Sequence, residues 1–214
     1  LYAAQCGKKP VVLAGRNAHK AFVNACALLD IGIEWIYPDD EQSYIACNIT
    51  AQQISERLAG QNGRITAVYI TSPDYLGNMQ VIAAIARACH ESGALLSVDN
   101  AHGAYLKFMP TPAHPMDLGA DICCDSAHKT LGVITGGAYL HISVSAPAVL
   151  AERAKASFSV FGTSSPSYLI LQSLDAANGT TKAFRNELRA FLPEADSLKA
   201  KLAAHGFELA GSEA

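Results

Sequence analysis

The chain has 214 residues, half of them apolar and 16% charged, with a mean hydropathy of +0.15. A chain of this length buries about 70% of the surface it exposes when unfolded, which excludes a disordered or low-complexity protein. The formal net charge of −3 supplies no basic field for nucleic acid, and no apolar run reaches the roughly 18 residues that span a bilayer.

Short β-branched runs alternate with helical patterns along the chain. LYAAQCGKK (1–9) carries its charge after its apolar part, the wrong order for a signal peptide. VVLA (11–14) reads as a strand, HKAFVNACALL (19–29) as a helix and EWIY (34–37) as a second strand stopped by Pro38. Thr50 and Gln53 form the spacing of a capping box, with a helix to about residue 59. ITAVYIT (65–71) is a strand broken by Ser72-Pro73-Asp74, residues 80–91 are helical, and ALLSVD (94–99) is a strand expected to be buried on both faces. ADICCD (120–125) and GAYLHI (137–142) are further strands. Helices are expected at 146–154, 168–177 and 180–205, the last interrupted near Pro193.

Near-continuous apolar strands joined by helices predict an α/β fold with a mostly parallel central sheet flanked by helices on both faces. Six cysteines (Cys6, Cys26, Cys47, Cys89, Cys123 and Cys124) form no CxxC pair, and the adjacent Cys123 and Cys124 read as strand core. In so apolar a chain they suggest a reducing, cytoplasmic setting rather than a disulfide frame. The chain begins at Leu1 rather than Met, which leaves open a fragment, a processed chain or part of something longer.

Ligands of such sheets sit beyond the carboxyl ends of the strands, and polar groups gather there from four segments. Arg16, Asn17 and His19 follow the first strand. Ser72, Asp74 and Tyr75 follow ITAVYIT. Asp99, Asn100 and His102 follow ALLSV, and Ser126, His128 and Lys129 follow DICCD. Lys129, just past a buried strand, has the setting of a partly desolvated amine able to form a Schiff base, against the plainer reading of a surface lysine with a snorkelling stem. Asp99 ends a strand in a dry neighbourhood, where a cation such as a pyridinium nitrogen would keep it ionised; the alternative is a carboxylate capping the turn NAHG (100–103). His19 and His102 offer imidazoles for stacking or proton shuttling, whereas His90, His114, His141 and His205 read as satisfied turn or core residues. The Ser126 hydroxyl, the His128 imidazole and the amides of their turn could hold a phosphate.

SVDNAHGAYLKF, followed about thirty residues later by DSAHKTLGVITGGAYLH, resembles the major domain of the Orn/Lys/Arg decarboxylase family. AGRNAHKAF (14–22), ITSPDYLGN (70–78) and GTSSPSYLILQSLDAA (162–177) resemble further segments of that family, in the same order over residues 10–180. The resemblance implies a fold-type-I, pyridoxal-phosphate-dependent enzyme of the aspartate aminotransferase fold. It divides the chain into a cofactor-binding large domain (1–145) and a segment (146–214) that ends that domain and leads into a truncated C-terminal one. Lys129 would carry pyridoxal 5'-phosphate, Asp99 would pair with the pyridine nitrogen, and His19 would stack over the ring. Ala101 and His102 would lie against the cofactor, and Ser126 and His128 would contact its phosphate or the lysine linkage. His128 or Lys129 would protonate Cα after carbon dioxide leaves. Thr163 and Ser164 would reach the phosphate of a neighbouring subunit, which implies a homodimer with shared sites. The implied reaction is decarboxylation of lysine, ornithine or arginine to the amine.

The chain departs from the family at Asn100, commonly acidic, and Ala127, commonly Thr, and residues 1–9 lack the glycine- and hydroxyl-rich phosphate loop expected upstream. Three rival readings remain at this stage. Asp99-x-x-His102 and Asp125-x-x-His128 could together hold zinc or manganese. The same fold could run an aminotransferase or carbon–sulfur lyase reaction, or the chain could be a truncated, non-catalytic homologue.

Overall fold

The computed structural model describes residues 9–38, 45–61 and 63–209; Cys6 and the rest of 1–8 lie outside the described residues. Six strands form one sheet: β1 (Val11–Gly15), β2 (Gly32–Ile36), β3 (Ile65–Thr71), β4 (Leu95–Asp99), β5 (Ile122–Asp125) and β6 (Tyr139–Ile142). Their order is β2-β1-β3-β4-β5-β6. The first five run parallel, and β6 pairs antiparallel with β5, a direction the residue pattern of GAYLHI does not encode. The order reverses between β1 and β3, which makes the carboxyl ends of those strands the expected ligand crevice.

Helices α1 (Lys20–Leu28), α2 (Ala51–Leu58) and α3 (Ile82–Glu91) connect the first four strands. His19 caps α1 by accepting from the Ala21 amide at 3.1 Å, and Thr50 and Gln53 close the expected capping box on α2. The core lies between the sheet and α2–α3, where Ile54, Leu58, Ile82, Ile85 and Cys89 pack on Val68, Ile70, Leu96 and Val98.

The opposite face of the sheet departs from the expectation of double burial. Residues of a strand alternate between faces, so Tyr69 and Thr71, Ser97 and Asp99, and Ile122 and Cys124 share the second face. Leu95, Ser97 and Asp99 are only half-buried, and Cys124 is exposed while Cys123, turned into the core side, is fully buried. Two adjacent cysteines in a strand must point to opposite faces, so they are not both core. All five cysteines among the described residues are free thiols.

A short α4 (Ala127–Thr130) carries Lys129, and α5 (Ala148–Phe161), α6 (Tyr168–Gly179) and α7 (Thr181–Ala204) follow β6. α5 runs seven residues past the expected end at 154, through KASFSVF. α7 is continuous across Pro193 rather than interrupted. The proline removes one backbone hydrogen bond, and in an exposed 24-residue helix the flanking turns carry the geometry through it. None of these three helices buries a residue, and Phe158, Val160, Phe161, Tyr168, Leu169 and Phe191 are exposed. Among the described residues no helix is long and apolar enough to cross a membrane.

Candidate active site

A cavity of about 370 Å³ opens at the carboxyl ends of β1, β3, β4 and β5. It is large enough for a small-molecule ligand. Asn17 and His19 enter it after β1, Tyr69, Thr71 and Tyr75 from β3 and its following loop, Asp99, Ala101 and His102 from β4 and its turn, and Cys124, Ser126 and Lys129 from β5 and α4. Lys129, Asp99, His19, Ala101, His102 and Ser126, singled out from the sequence, thus share one wall-to-wall space.

Asp99 does two things there. Its Oδ1 accepts the Ala101 amide at 3.1 Å, capping the NAHG turn, and its Oδ2 accepts the Tyr69 phenol at 2.9 Å. A carboxylate has about four lone-pair sites, so each oxygen keeps room for a further donor from the cavity. The turn itself depends on Gly103, where an added Cβ would stand 2.0 Å from Asn100 Oδ1 and 2.7 Å from both Leu106 and Pro73.

Lys129 Nζ lies 3.2 Å from His102 Nε2, and His102 Nδ1 lies 3.3 Å from the Pro73 carbonyl. A carbonyl only accepts, so Nδ1 carries the proton and Nε2 turns its lone pair toward the lysine. Lys129 is exposed, contrary to the expected desolvation, and it meets the His102 imidazole rather than an apolar wall. Tyr75 leans on His102 with ring centroids 4.8 Å apart. The loop presenting Tyr75 is tied down by Asp74, which accepts the amides of Leu76 and Asn78 and the Asn78 side chain. Asp74 is buried by that work and serves the loop rather than the cavity.

Two groups are not brought to this cavity. His128 does not line it; its Nδ1 faces the Gly137 carbonyl at 3.0 Å, because a single residue step along the helix, about 100°, rotates it away from its neighbour Lys129. Thr163 and Ser164 lie exposed in the loop before α6 and do not line it either. The two D-x-x-H units do not converge, since Asp125 faces the opposite side of the sheet from Asp99. Asp125 instead accepts from Asn100 at 2.7 Å, His141 at 2.9 Å, His114 at 3.0 Å and Cys123 at 3.5 Å. Burial alone would push its carboxyl up, but the hydrogen bonds from His114, His141 and Asn100 hold it well below the usual carboxylate range. Asn100 is the right residue for that contact, because the acidic side chain common in the family would bring a second negative charge against Asp125. His114, Cys123 and Asp125 are spaced as a metal trio, yet His114 Nδ1 accepts from the Met116 amide at 3.3 Å. Its Nε2 therefore donates to Asp125 and offers no lone pair to an ion.

Sequence reasoning missed Tyr69, Thr71 and Cys124. The period-2 alternation through ITAVYIT and DICCD would have placed them on the Asp99 face once the register was known. Thr71 is buried, and its Oγ1 has no hydrogen-bond partner. An orphaned hydroxyl in the wall, beside an ionisable carboxylate and opposite an amine, fits a flat polar ring in the space between them. Pyridoxal phosphate meets that description: Asp99 could face its ring nitrogen, Lys129 its aldehyde and Ser126 its phosphate.

The mostly parallel six-stranded sheet flanked by helices has the fold of the large domain of fold-type-I, pyridoxal-phosphate-dependent enzymes. The family model described as "Orn/Lys/Arg decarboxylase, major domain" matches residues 1–208, and the chain belongs to that family. It is 32% identical over 174 residues to the uncharacterized protein YaaO of Bacillus subtilis (strain 168), covering 80% of this chain and 36% of that protein. It is 30% identical over 168 residues to an arginine decarboxylase of Halalkalibacterium halodurans, covering 78% and 34%. The chain thus spans about a third of the length of the curated relatives it matches. Among solved structures, Sphingomonas wittichii serine palmitoyltransferase superposes with a TM-score of 0.71 at 16% identity, over 96% of this chain and 49% of that one. The SepCysS–SepCysE N-terminal domain complex gives 0.71 at 16% identity, over 99% and 57%. At that identity the likeness concerns the fold.

Proposed function

We propose that this chain supplies the cofactor-binding part of a pyridoxal-phosphate-dependent decarboxylase acting on a basic amino acid, with arginine, ornithine and lysine as the substrate class. The observation that carries the reading is the convergence of Lys129, His102 and Asp99 on one cavity at the strand ends of a decarboxylase-family domain. Bound there, the cofactor would supply an aldehyde that condenses with amines and a ring that accepts the electron pair of a breaking Cα–carboxylate bond.

The protein's own groups divide the remaining work. His102 Nε2 takes a proton from Lys129, which frees the amine lone pair for attachment, and returns it when the amine is displaced. Asp99 holds a negative charge where the ring nitrogen would sit. His19 would stack over the ring, Ala101 and His102 would lie against the cofactor, and the Ser126 hydroxyl would meet its phosphate. Protonation at Cα falls to Lys129 rather than His128, since the lysine lines the cavity and the histidine does not. Thr163 and Ser164, exposed in the loop before α6, would reach the phosphate held by a second copy. The exposed apolar side chains of α5 and α6 around them suit a homodimer interface.

The test is borohydride reduction of the loaded full chain followed by peptide mass spectrometry. The expected result is a pyridoxyl mass increment on Lys129 that disappears in Lys129→Ala. An increment on another lysine, or none, overturns the reading. Incubation with lysine, ornithine and arginine should release carbon dioxide and the matching amine; a keto acid product would make it an aminotransferase.

A further inference from the structure

Tyr69 has no place in the chemistry drawn from the sequence, yet among the described residues it is the side chain that hydrogen-bonds the Asp99 carboxylate, at Oδ2. Resting on the reading above, we propose that Tyr69 is a positioning residue that orients Asp99 and holds it ionised opposite the cofactor's ring nitrogen.

The register makes the contact deliberate in geometry. Tyr69 stands beside Ser97, and Thr71 stands beside Asp99, so the phenol must run along the strand direction to meet a carboxylate two residues further on. It arrives at 2.9 Å from Oδ2. The strand does not need a tyrosine for its own sake. Its neighbours Val68 and Ile70 fill the core from the other face, and on the half-buried face a valine would satisfy the strand's packing equally well.

Phe22 of α1 stacks on the Tyr69 ring with centroids 3.9 Å apart and planes 15° from parallel, which buttresses the ring while the hydrogen bond to Asp99 sets where the hydroxyl points. Burial, then the Asp99 charge, push the phenol far above its ordinary range, so it remains a donor at any physiological pH.

The consequence follows from counting donors. With the Ala101 amide on Oδ1 and the phenol on Oδ2, the carboxylate is held at both oxygens by rigid groups. Without the phenol one oxygen loses its donor, the carboxylate turns more easily, and its negative charge is less well met. A proton shared between Asp99 and a ring nitrogen then moves toward Asp99. The ring nitrogen is left less positive and the ring is a poorer electron acceptor. Tyr69 acts through Asp99 and touches no reacting atom.

The experiment uses the full chain loaded with pyridoxal 5'-phosphate labelled with ¹⁵N in its ring. In the unaltered protein the ring nitrogen should resonate as the protonated form. Asp99→Asn sets the unprotonated limit, and Tyr69→Phe, which keeps the stack on Phe22 and loses only the hydroxyl, should move the signal part of the way. The same variant should weaken cofactor binding roughly tenfold. Phe22→Leu loosens the stack but keeps the hydroxyl, and should move the signal much less than Tyr69→Phe. A ring signal unchanged in Tyr69→Phe, while Asp99→Asn shifts it, overturns the role of Tyr69 and leaves the cofactor site standing. Equal shifts in Tyr69→Phe and Phe22→Leu overturn it as well, since packing would then be the cause. Failure of the unaltered chain to take up the cofactor at Lys129 sinks the cofactor reading itself.

Discussion

Asp99 and Asp125 end neighbouring parallel strands, and each is followed three residues later by a histidine. Their surroundings are opposite. Asp99 faces an open cavity, meets two donors and keeps lone pairs to spare. Asp125 faces the other side of the sheet, is buried and meets four donors, two of them imidazoles that come from distant segments. The cause is parity. Asp99 pairs in register with Cys124, so Asp125 lies one residue further on and its side chain falls on the other face. A second cavity of about 220 Å³ lies on that face, with Asp125, His114 and His141 in its wall and Phe108 and Phe184 across from them. The same three-residue spacing thus produces one carboxylate disposed to act on a ligand and one disposed to hold the fold together.

The difference can be broken by exchanging what each carboxylate loses. On the proposed reading, Asp99→Ala should lower decarboxylation by roughly a thousandfold, about 4 kcal/mol of barrier. It should cost the fold only about 1 kcal/mol in urea, as the Ala101 amide and the Tyr69 phenol lose their acceptor. Undiminished turnover would remove Asp99 from the chemistry. Asp125→Ala should instead destabilise the fold by about 3 kcal/mol, because it leaves His114, His141 and Asn100 without their common acceptor. A variant as stable as the parent in urea would show that the hub contributes nothing.

Acid sharpens the contrast. The Asp125 carboxyl is held below its unfolded value, so its contribution is fully present above about pH 4 and is lost as pH falls further, with a slope near 1.4 kcal/mol per pH unit for one proton. Denaturant midpoints between pH 5 and pH 2 should fall along that slope in the parent and more shallowly in Asp125→Asn. The smallest effect is on the cysteines between the two carboxylates. Cys124 opens on the cavity, but enclosure by its walls and then the charges of Asp99 and Asp125 push its thiol up to about 11. Iodoacetamide should therefore label it with a midpoint near pH 11, well above that of a free thiol, and Cys123 should stay unlabelled in the folded protein. Labelling of Cys124 with a midpoint near pH 8 would show that neither the enclosure nor the two charges raise it.

Much of the site was legible before any coordinates. Lys129, Asp99 and His102 each follow a recognisable buried strand, and strand-end position is a local property of the sequence. The Thr50–Gln53 capping box and most strands were legible for the same reason. What misled was parity and range. ALLSVD and DICCD are apolar enough to read as buried throughout, so the half-open face and the exposed Cys124 were lost, and with them Tyr69 and Thr71. His128 looked equivalent to Lys129 because adjacency in sequence conceals the 100° turn of a helix. Pro193 looked like a break because a single residue's preference was set against none of the flanking turns.

The amino-acid sequence by itself determined the alternation of strands and helices, the family, and which titratable groups stand at strand ends, because those follow from periodicities spanning a few residues. Tertiary structure alone decided which face each group serves, that Tyr69 meets Asp99, that His102 meets Lys129, and that Asp125 is surrendered to the fold. Those contacts join residues 16 to 30 positions apart through the register of adjacent strands. A shift of one residue in that register would send every one of them to the opposite side of the sheet.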